Sequence, residues 1–357
     1  MKATQISDFI KPEKFLVQAL QVTTVRSMQN LLSQLPIVSE NEYPVDPTDL
    51  DLGWKEGKLH WFPLGRDRGN AGRIKLANSG EGPIAERTIN SMEALIELER
   101  RRERKKDPTS PPPSSPREAV MRYFALPSLD QIPRLVGEEG KKVRQFARLL
   151  AKKIEVRVVY DKVEREFRVS IRDEGIGQSP ARIHQTLLSL GSSDKGDKPY
   201  LIGLFGQGGS SSYAASEYSW CISRRVNDLL DGCTDGVGWT VIKQVIPKGR
   251  RDPFYAYLAA SPAGEVVSFS ARIADQAGCK AGTKFAHLGY NFSGAGSAVM
   301  RRLYYMLNHI LYNPVLPFDL YAGSTQATIY GNGYRLTNAS VNNKTILDKV
   351  YSPQQLS

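Results

Sequence analysis

Three stretches of this sequence carry residue types at spacings that chemistry can use. One is Asp173-Glu174-Gly175-Ile176-Gly177, at the end of the alternating run Phe167 to Arg172. Alternation predicts a strand that ends in a turn, which leaves the Asp173 carboxylate at the strand's end. Gly175 and Gly177 let the backbone bend sharply and come close to a flat ligand. A carboxylate so placed can accept a hydrogen bond from an exocyclic amine, although Asp and Gly also mark ordinary turns. Another is Glu86, Asn90 and Glu93. At about 100° per residue they share one helical stripe beside an apolar one of Ala85, Ile89, Met92 and Ile96. Such a helix seats itself in a core and aims two carboxylates and an amide at one place, and Asn in mid-helix gives up propensity. A polar surface stripe has the same pattern. The last stretch runs from Tyr200 to Ala215, with Gly203, Gly206, Gly208 and Gly209 just ahead of a small-residue helical run. Unblocked N–H groups, close approach and a helix N-terminus carrying about +0.5 charge suit a phosphate. No G-K-[ST] follows, so this is not a Walker A loop, and a loop without a ligand reads the same way.

The elements that must position these groups are read from periodicity and breakers. Residues 12–34 predict an N-terminal helix ended by Pro36. His60-Trp61-Phe62 and Arg73-Ile74-Lys75-Leu76 are short strand candidates around a charged loop at 65–70. Pro83 opens the helix that carries Glu86, Asn90 and Glu93 to Ile96. Glu97 to Lys106 is a mostly basic run, and Asp107 to Pro116 is too rich in proline to continue a helix. Residues 97–117 therefore read as a solvent-exposed, mobile insertion. Helical periodicity returns over 117–153, and 154–160 with the strand into Asp173 predict a hairpin. Pro180 opens a helix, Ala181 to Leu190, closed by Gly191. Alternating strands fill 216–275, and Gly282-Thr283 turns into a strand to Leu288, where the Thr283 hydroxyl is a candidate for holding a base or water.

The 357 residues allow about two domains. Forty-eight Lys and Arg against 37 Asp and Glu give a formal charge of +11, which favours polyanions such as nucleic acid or nucleotide phosphates. Cys221, Cys233 and Cys279 are odd in number and lack C-x-x-C spacing, which argues against structural zinc and a disulfide framework. Met1 to Lys11 lacks the apolar core of a signal peptide, and no run of about 18 apolar residues is present. A cytoplasmic setting without membrane contact is the expectation.

In order, these stretches resemble the GHKL, or Bergerat-fold, ATPases, which include gyrase B-type topoisomerase subunits, ninety-kilodalton heat-shock chaperones, sensor histidine kinases and MutL. Glu86, Asn90, Glu93 and Ala94 match the family's E-x-x-x-N-x-x-D-A helix, with Glu93 where Asp is usual. Asp173, Gly175 and Gly177 match D-x-G-x-G, Gly203 to Gly209 the glycine-rich lid segment, and Gly282-Thr283 the G-T turn. The layout is similar to the chaperone and MutL branches. The resemblance implies an α+β fold, a two-layer sandwich of a mixed sheet covered by helices. It spans residues 1–295, with an inserted segment at about 97–150 and the start of a second α/β domain at 296–357.

It further implies Mg²⁺-dependent ATP binding and hydrolysis that drives lid closure or dimerisation, in chaperone-like, DNA-related or defence processes. Glu86 would orient or deprotonate the attacking water, and Asn90 would hold Mg²⁺. Asp173 would read the adenine amine. Gly206, Gln207, Gly208 and Gly209 would cradle the phosphates, and Ser192, Ser193 and Lys195 would sit in the closing lid. A homodimer or a protein partner is expected. A nucleotide-binding regulatory module with little hydrolysis and a basic nucleic-acid-binding protein are the alternatives.

Overall fold

The structure is a computed structural model, and it describes residues 11–39, 55–74, 77, 79–190, 198–202, 210–246, 252–292 and 296–342. It is a mixed α+β chain built on one large sheet flanked by helices.

The N-terminal stretch forms two helices, α1 (Pro12–Gln21) and α2 (Val25–Leu32), rather than one. The break falls where Thr24 takes extended backbone angles and forms a reciprocal capping box with Ser27, which starts a new helix. Strand β1 (His60–Pro63) follows. Arg73 and Ile74, expected as strand, lie in a turn, and Lys75 and Leu76 are outside the described residues. The buried Asn70 side chain fixes this loop, donating to the carbonyls of Leu64 (3.0 Å) and Tyr255 (2.8 Å) and accepting from the Tyr255 N–H.

Helix α3 (Glu81–Lys106) is 26 residues long. It starts two residues before Pro83, which a first turn tolerates because its N–H has no intrahelical partner there. It then runs straight through the basic stretch expected to leave the fold. Leu98 and Arg100 are buried. Arg100 donates to the Ser110 carbonyl (2.7 Å) and hydroxyl (2.9 Å), which fastens the proline-rich segment to the helix. The segment ends at Ser115, the N-cap of α4 (Pro116–Phe124). The expected mobile insertion is thus an ordered connection, followed by a 3₁₀ turn (Leu129–Arg134) and α5 (Gly137–Ala151).

The hairpin of β2 (Ile154–Asp161) and β3 (Glu166–Asp173) pairs antiparallel, with Ile154 opposite Asp173. Beyond it, Pro180–Gln185 is a 3₁₀ helix instead of the expected α-helix. Tight i→i+3 turns set Pro180 and Ile183 on Gly238, where a Cβ would lie 2.4 Å from Ile183 Cδ1. The remaining elements are α6 (Ser211–Ala214), β4 (Tyr218–Arg224), β5 (Gly236–Val245), β6 (Phe254–Ala259), β7 (Val267–Ser270), α7 (Ala271–Gln276), β8 (Gly282–Leu288), α8 (Gly296–Ile310), β9 (Phe318–Ala322), β10 (Thr325–Ile329) and α9 (Gly331–Val341).

Sheet order is β1-β6-β5-β4-β8-β3-β2-β9-β10, with β7 on β5, and the β2–β9 pairing is the parallel one. One face of the β3-β2-β9-β10 half is covered by α3, α5 and α8, whose Met92, Ile96, Ala147, Leu303 and Leu307 join Val156, Val158, Ile171 and Leu320 in one core. On the other half, α1 packs Phe15 edge-on against Trp239 at 5.2 Å. Residues from 296, expected to open a second domain, instead extend the same sheet and share its core, because β9 finds its partner in β2. Among the described residues no helix is long and apolar enough to cross a membrane.

Candidate functional site

Helix α3 and the turn after β3 are fastened to each other. Ser91 Oγ lies 3.3 Å from Asp173 Oδ2, and the Gly175 N–H donates to Asp173 Oδ1 at 2.9 Å. The Ile176 N–H donates to the Ala94 carbonyl at 3.0 Å. Burial raises the Asp173 carboxyl from 3.8 to about 7, against the pull of the Gly175 and Thr283 N–H groups and of Ser91. Asp173 is directly opposite Thr283 on β8, and the Thr283 hydroxyl is 2.9 Å from that of Ser223.

The glycines of this turn are used in a way the sequence did not suggest. A Cβ on Gly175 would lie 2.6 Å from that of Ala94, and one on Gly177 (φ +61°) would lie 1.9 Å from the Arg224 carbonyl oxygen. Gly282 (φ +118°) would collide with the Asp173 carbonyl in the same way. The close approach expected toward a flat ligand is here an approach of the chain to itself, and it brings Asp173 against α3.

Along α3 the carboxylates grip what lies before and after the glycine-rich stretch. Glu86 is half-buried, and burial raises its carboxyl, while the hydroxyl of Ser211 donates to Oε2 at 3.0 Å and, with Arg87, opposes the rise. Glu93 is buried and accepts the Ile202 N–H at 2.7 Å. Glu97, one turn further, accepts from the Tyr200 hydroxyl at 2.9 Å and from Lys198 at 3.2 Å. Burial pulls the Glu97 carboxyl upward, but Lys198, Arg101 and Tyr200 outweigh it and the group ends below its ordinary value. Asn90 is exposed, between the half-buried Glu86 and the buried Glu93.

Arg87, Ser91 and Glu97 are contributors that sequence reasoning missed. The Arg87 guanidinium is buried, sits 3.8 Å from the Phe285 ring centre and 4.8 Å from that of Tyr213, and donates to Ser212 Oγ at 3.0 Å. It thereby ties α6 to α3. Spacing offered one signal, since Glu97 continues the Glu86 and Glu93 stripe by another turn. Helix α6 has only four residues, so the helix-terminus charge expected to face a phosphate is small. Ser192, Ser193, Lys195, Gly203, Gly206, Gln207, Gly208 and Gly209 lie outside the described residues.

The structure thus brings Glu86, Asn90, Glu93, Asp173, Gly175, Gly177 and Thr283 to α3 and the strand ends packed against it. A buried carboxyl with a raised pKa is poised to take a hydrogen bond from a donor, and a half-buried Glu is poised to take a proton. Among the described residues no group of three or more His, Cys, Asp or Glu side chains is placed to hold a metal ion. Asn90 offers one exposed amide oxygen, which fits a Mg²⁺ ion bound chiefly by phosphate and water. No protein-family model matches the chain, and no curated protein matches it.

Proposed function

We propose that this chain binds and hydrolyses ATP with Mg²⁺ in the manner of the Bergerat-fold (GHKL) ATPases. The observation that carries the reading is the joining of α3 to the Asp173 turn through Ser91 and Ala94, which sets the Glu86–Asn90 stripe and a buried carboxyl around one place. Asp173 accepts the adenine amine through a carboxylate oriented by Ser91 and the Gly175 N–H, and this excludes guanine, whose corresponding oxygen is an acceptor. Glu86, raised by burial and held by Ser211, takes the proton of the attacking water, a role worth about 10² to 10⁴ in rate. Mg²⁺ held through Asn90 supplies charge neutralisation at the phosphates. Glu93 and Glu97 hold residues 198–202 and Glu86 holds Ser211, so both flanks of the glycine-rich stretch answer to α3 and can follow a lid.

Binding of a fluorescent ATP analogue and steady-state turnover test this together. Glu86→Ala is expected to bind ATP like the wild type and turn it over about 10² to 10⁴ times more slowly, and Asp173→Asn to lose affinity for ATP at least about tenfold. A wild-type chain that binds no ATP, or an Asp173→Asn chain that binds it equally well, overturns the proposal. Binding with the same negligible turnover in wild type and Glu86→Ala assigns the site to a nucleotide-binding module instead.

A further inference from the structure

The sheet face turned away from α3 is bare over β8, β3, β2 and β9, and it is basic. Alternation and register place its residues. Arg172 is opposite Lys284 on one side and Glu155 on the other, Arg168 is opposite Val159, and Arg157 is opposite Ser170 and beside Tyr321. The side chains of Arg157 and Arg172 are 42% and 38% exposed, and Val159 is exposed between the strands' charges. Helix α2 stops at the rim, where the Val25 N–H donates to Glu166 Oε1 at 2.8 Å.

Two carboxylates answer these four cations. Glu155 pairs with Arg157 at 3.0 Å and Glu174 with Arg172 at 3.4 Å. Arg168 and Lys284 have no carboxylate at ion-pair distance among the described residues. Burial lowers Arg168 and Lys284, and neighbouring cations add to this: Arg157 acts on Arg168, and Arg168, Arg172 and Arg157 act on Lys284. Positive charge is therefore concentrated here beyond what the fold neutralises. The Arg157 guanidinium also lies 4.3 Å from the ring centre of the half-buried Tyr321, which puts a flat cation and a flat ring side by side on the same face.

We propose that this face binds a nucleic-acid strand, with phosphates on Arg168, Arg172 and Lys284 and a base stacked at the Arg157–Tyr321 pair. Four strands at about 4.8 Å spacing give a platform wide enough for several nucleotides. Cations spread over a flat surface beside an aromatic ring match a backbone that alternates phosphate with flat bases. An acidic protein segment would use the charge but not the ring. The surface is on the opposite side of the sheet from Asp173, so it stands apart from the nucleotide site.

The test is fluorescence anisotropy with the full chain and a labelled 20-nucleotide single-stranded DNA (about that length spans the face), in parallel with a duplex of equal length and with heparin. Arg157→Gln with Arg168→Gln is expected to weaken single-strand binding at least about tenfold and to reduce the slope of log K against log salt by about 1.4. Lys141→Gln with Lys142→Gln removes the same charge from exposed positions on α5, across the sheet, and is expected to change affinity less than about twofold. Tyr321→Ala is expected to cost about tenfold for single strands and nothing for heparin. Equal losses in the two double variants, no binding at low salt, or a Tyr321→Ala chain indistinguishable from wild type overturns the proposal. Photocrosslinking of a thiouridine-containing strand to the unaltered chain gives a readout free of folding effects. Adducts on β2, β3, β8 or β9 are expected, and adducts confined to the α4–α5 side refute the assignment.

Discussion

A carboxyl that is buried beside a single hydroxyl and one or two N–H groups sets a pH dependence that can be read directly. Asp173 titrates near 3.8 in the unfolded chain and near 7 in the folded one. Between those values the folded state keeps a proton that the unfolded state releases, so stability is highest below the lower value and falls as pH rises through the window. The loss is on the order of 4 kcal/mol at most. Asp173→Asn removes the charge while its amide still accepts from Gly175 and can donate to Ser91, whose hydroxyl turns to suit. The variant is therefore expected to be more stable than wild type at pH 8 in the absence of nucleotide, with a flatter profile between pH 4 and 7. Denaturant titrations across that range check this. A variant no more stable at pH 8 and with the wild-type profile would show that the burial of Asp173 is not what costs the free chain stability. The gain should invert when ATP is added, because the amine donor that rewards the carboxylate is then present.

At the scale of elements, α3 is the organising piece, and it was legible only in part. The stripe of Ala85, Met92 and Ile96 beside Glu86 and Glu93 identified the helix, because a 3.6-residue period survives any tertiary context. Its continuation to Lys106 was hidden by composition. Charged residues in the last turns look like a departure from the fold, but Arg104, Lys105 and Lys106 suit a helix C-terminus, and buried Arg100 is explained only by its contact with Ser110. The Thr24–Ser27 break between α1 and α2 was readable in principle as a capping box. The 3₁₀ turn at Pro180–Gln185 was not, since it depends on a glycine in β5 that accepts Ile183. Arg100→Ala would leave the Ser110 carbonyl without its donor and release the segment from 107 to 115. A loss of about 2 to 4 kcal/mol is expected from unsatisfied, formerly charge-assisted bonds. Proteolysis should appear within that segment while nucleotide binding persists. Resistance equal to wild type would mean that the prolines, and not Arg100, order the connection.

For the whole molecule, the decisive feature is that the sheet continues past residue 295. Sequence periodicity predicted α8 and a strand near 328, yet it could not tell that β9 lies parallel to β2, because that pairing joins residues more than 150 positions apart and leaves no local signal. The two readings of this region differ sharply in what they require of a chain ended at 295. If the segment began a separate domain, the remainder would keep its core and melt as before. In the fold observed, removal takes Leu303, Leu307, Leu316, Phe318, Leu320 and Ile329 out of a shared core in which each is fully buried, and it leaves Val156 and Val158 beside an empty edge. At about 1.5 to 3 kcal/mol for each such side chain, the loss is on the order of 10 kcal/mol, comparable with the whole stability of an ordinary domain. The shortened chain is therefore expected to lose cooperative unfolding and to bind a hydrophobic dye, both measurable by calorimetry and fluorescence. The unpaired edge of β2 should also drive association. A soluble, cooperatively melting chain of residues 1–295 would restore the boundary at 296 and would assign β9 and β10 to a unit that merely docks on the sheet.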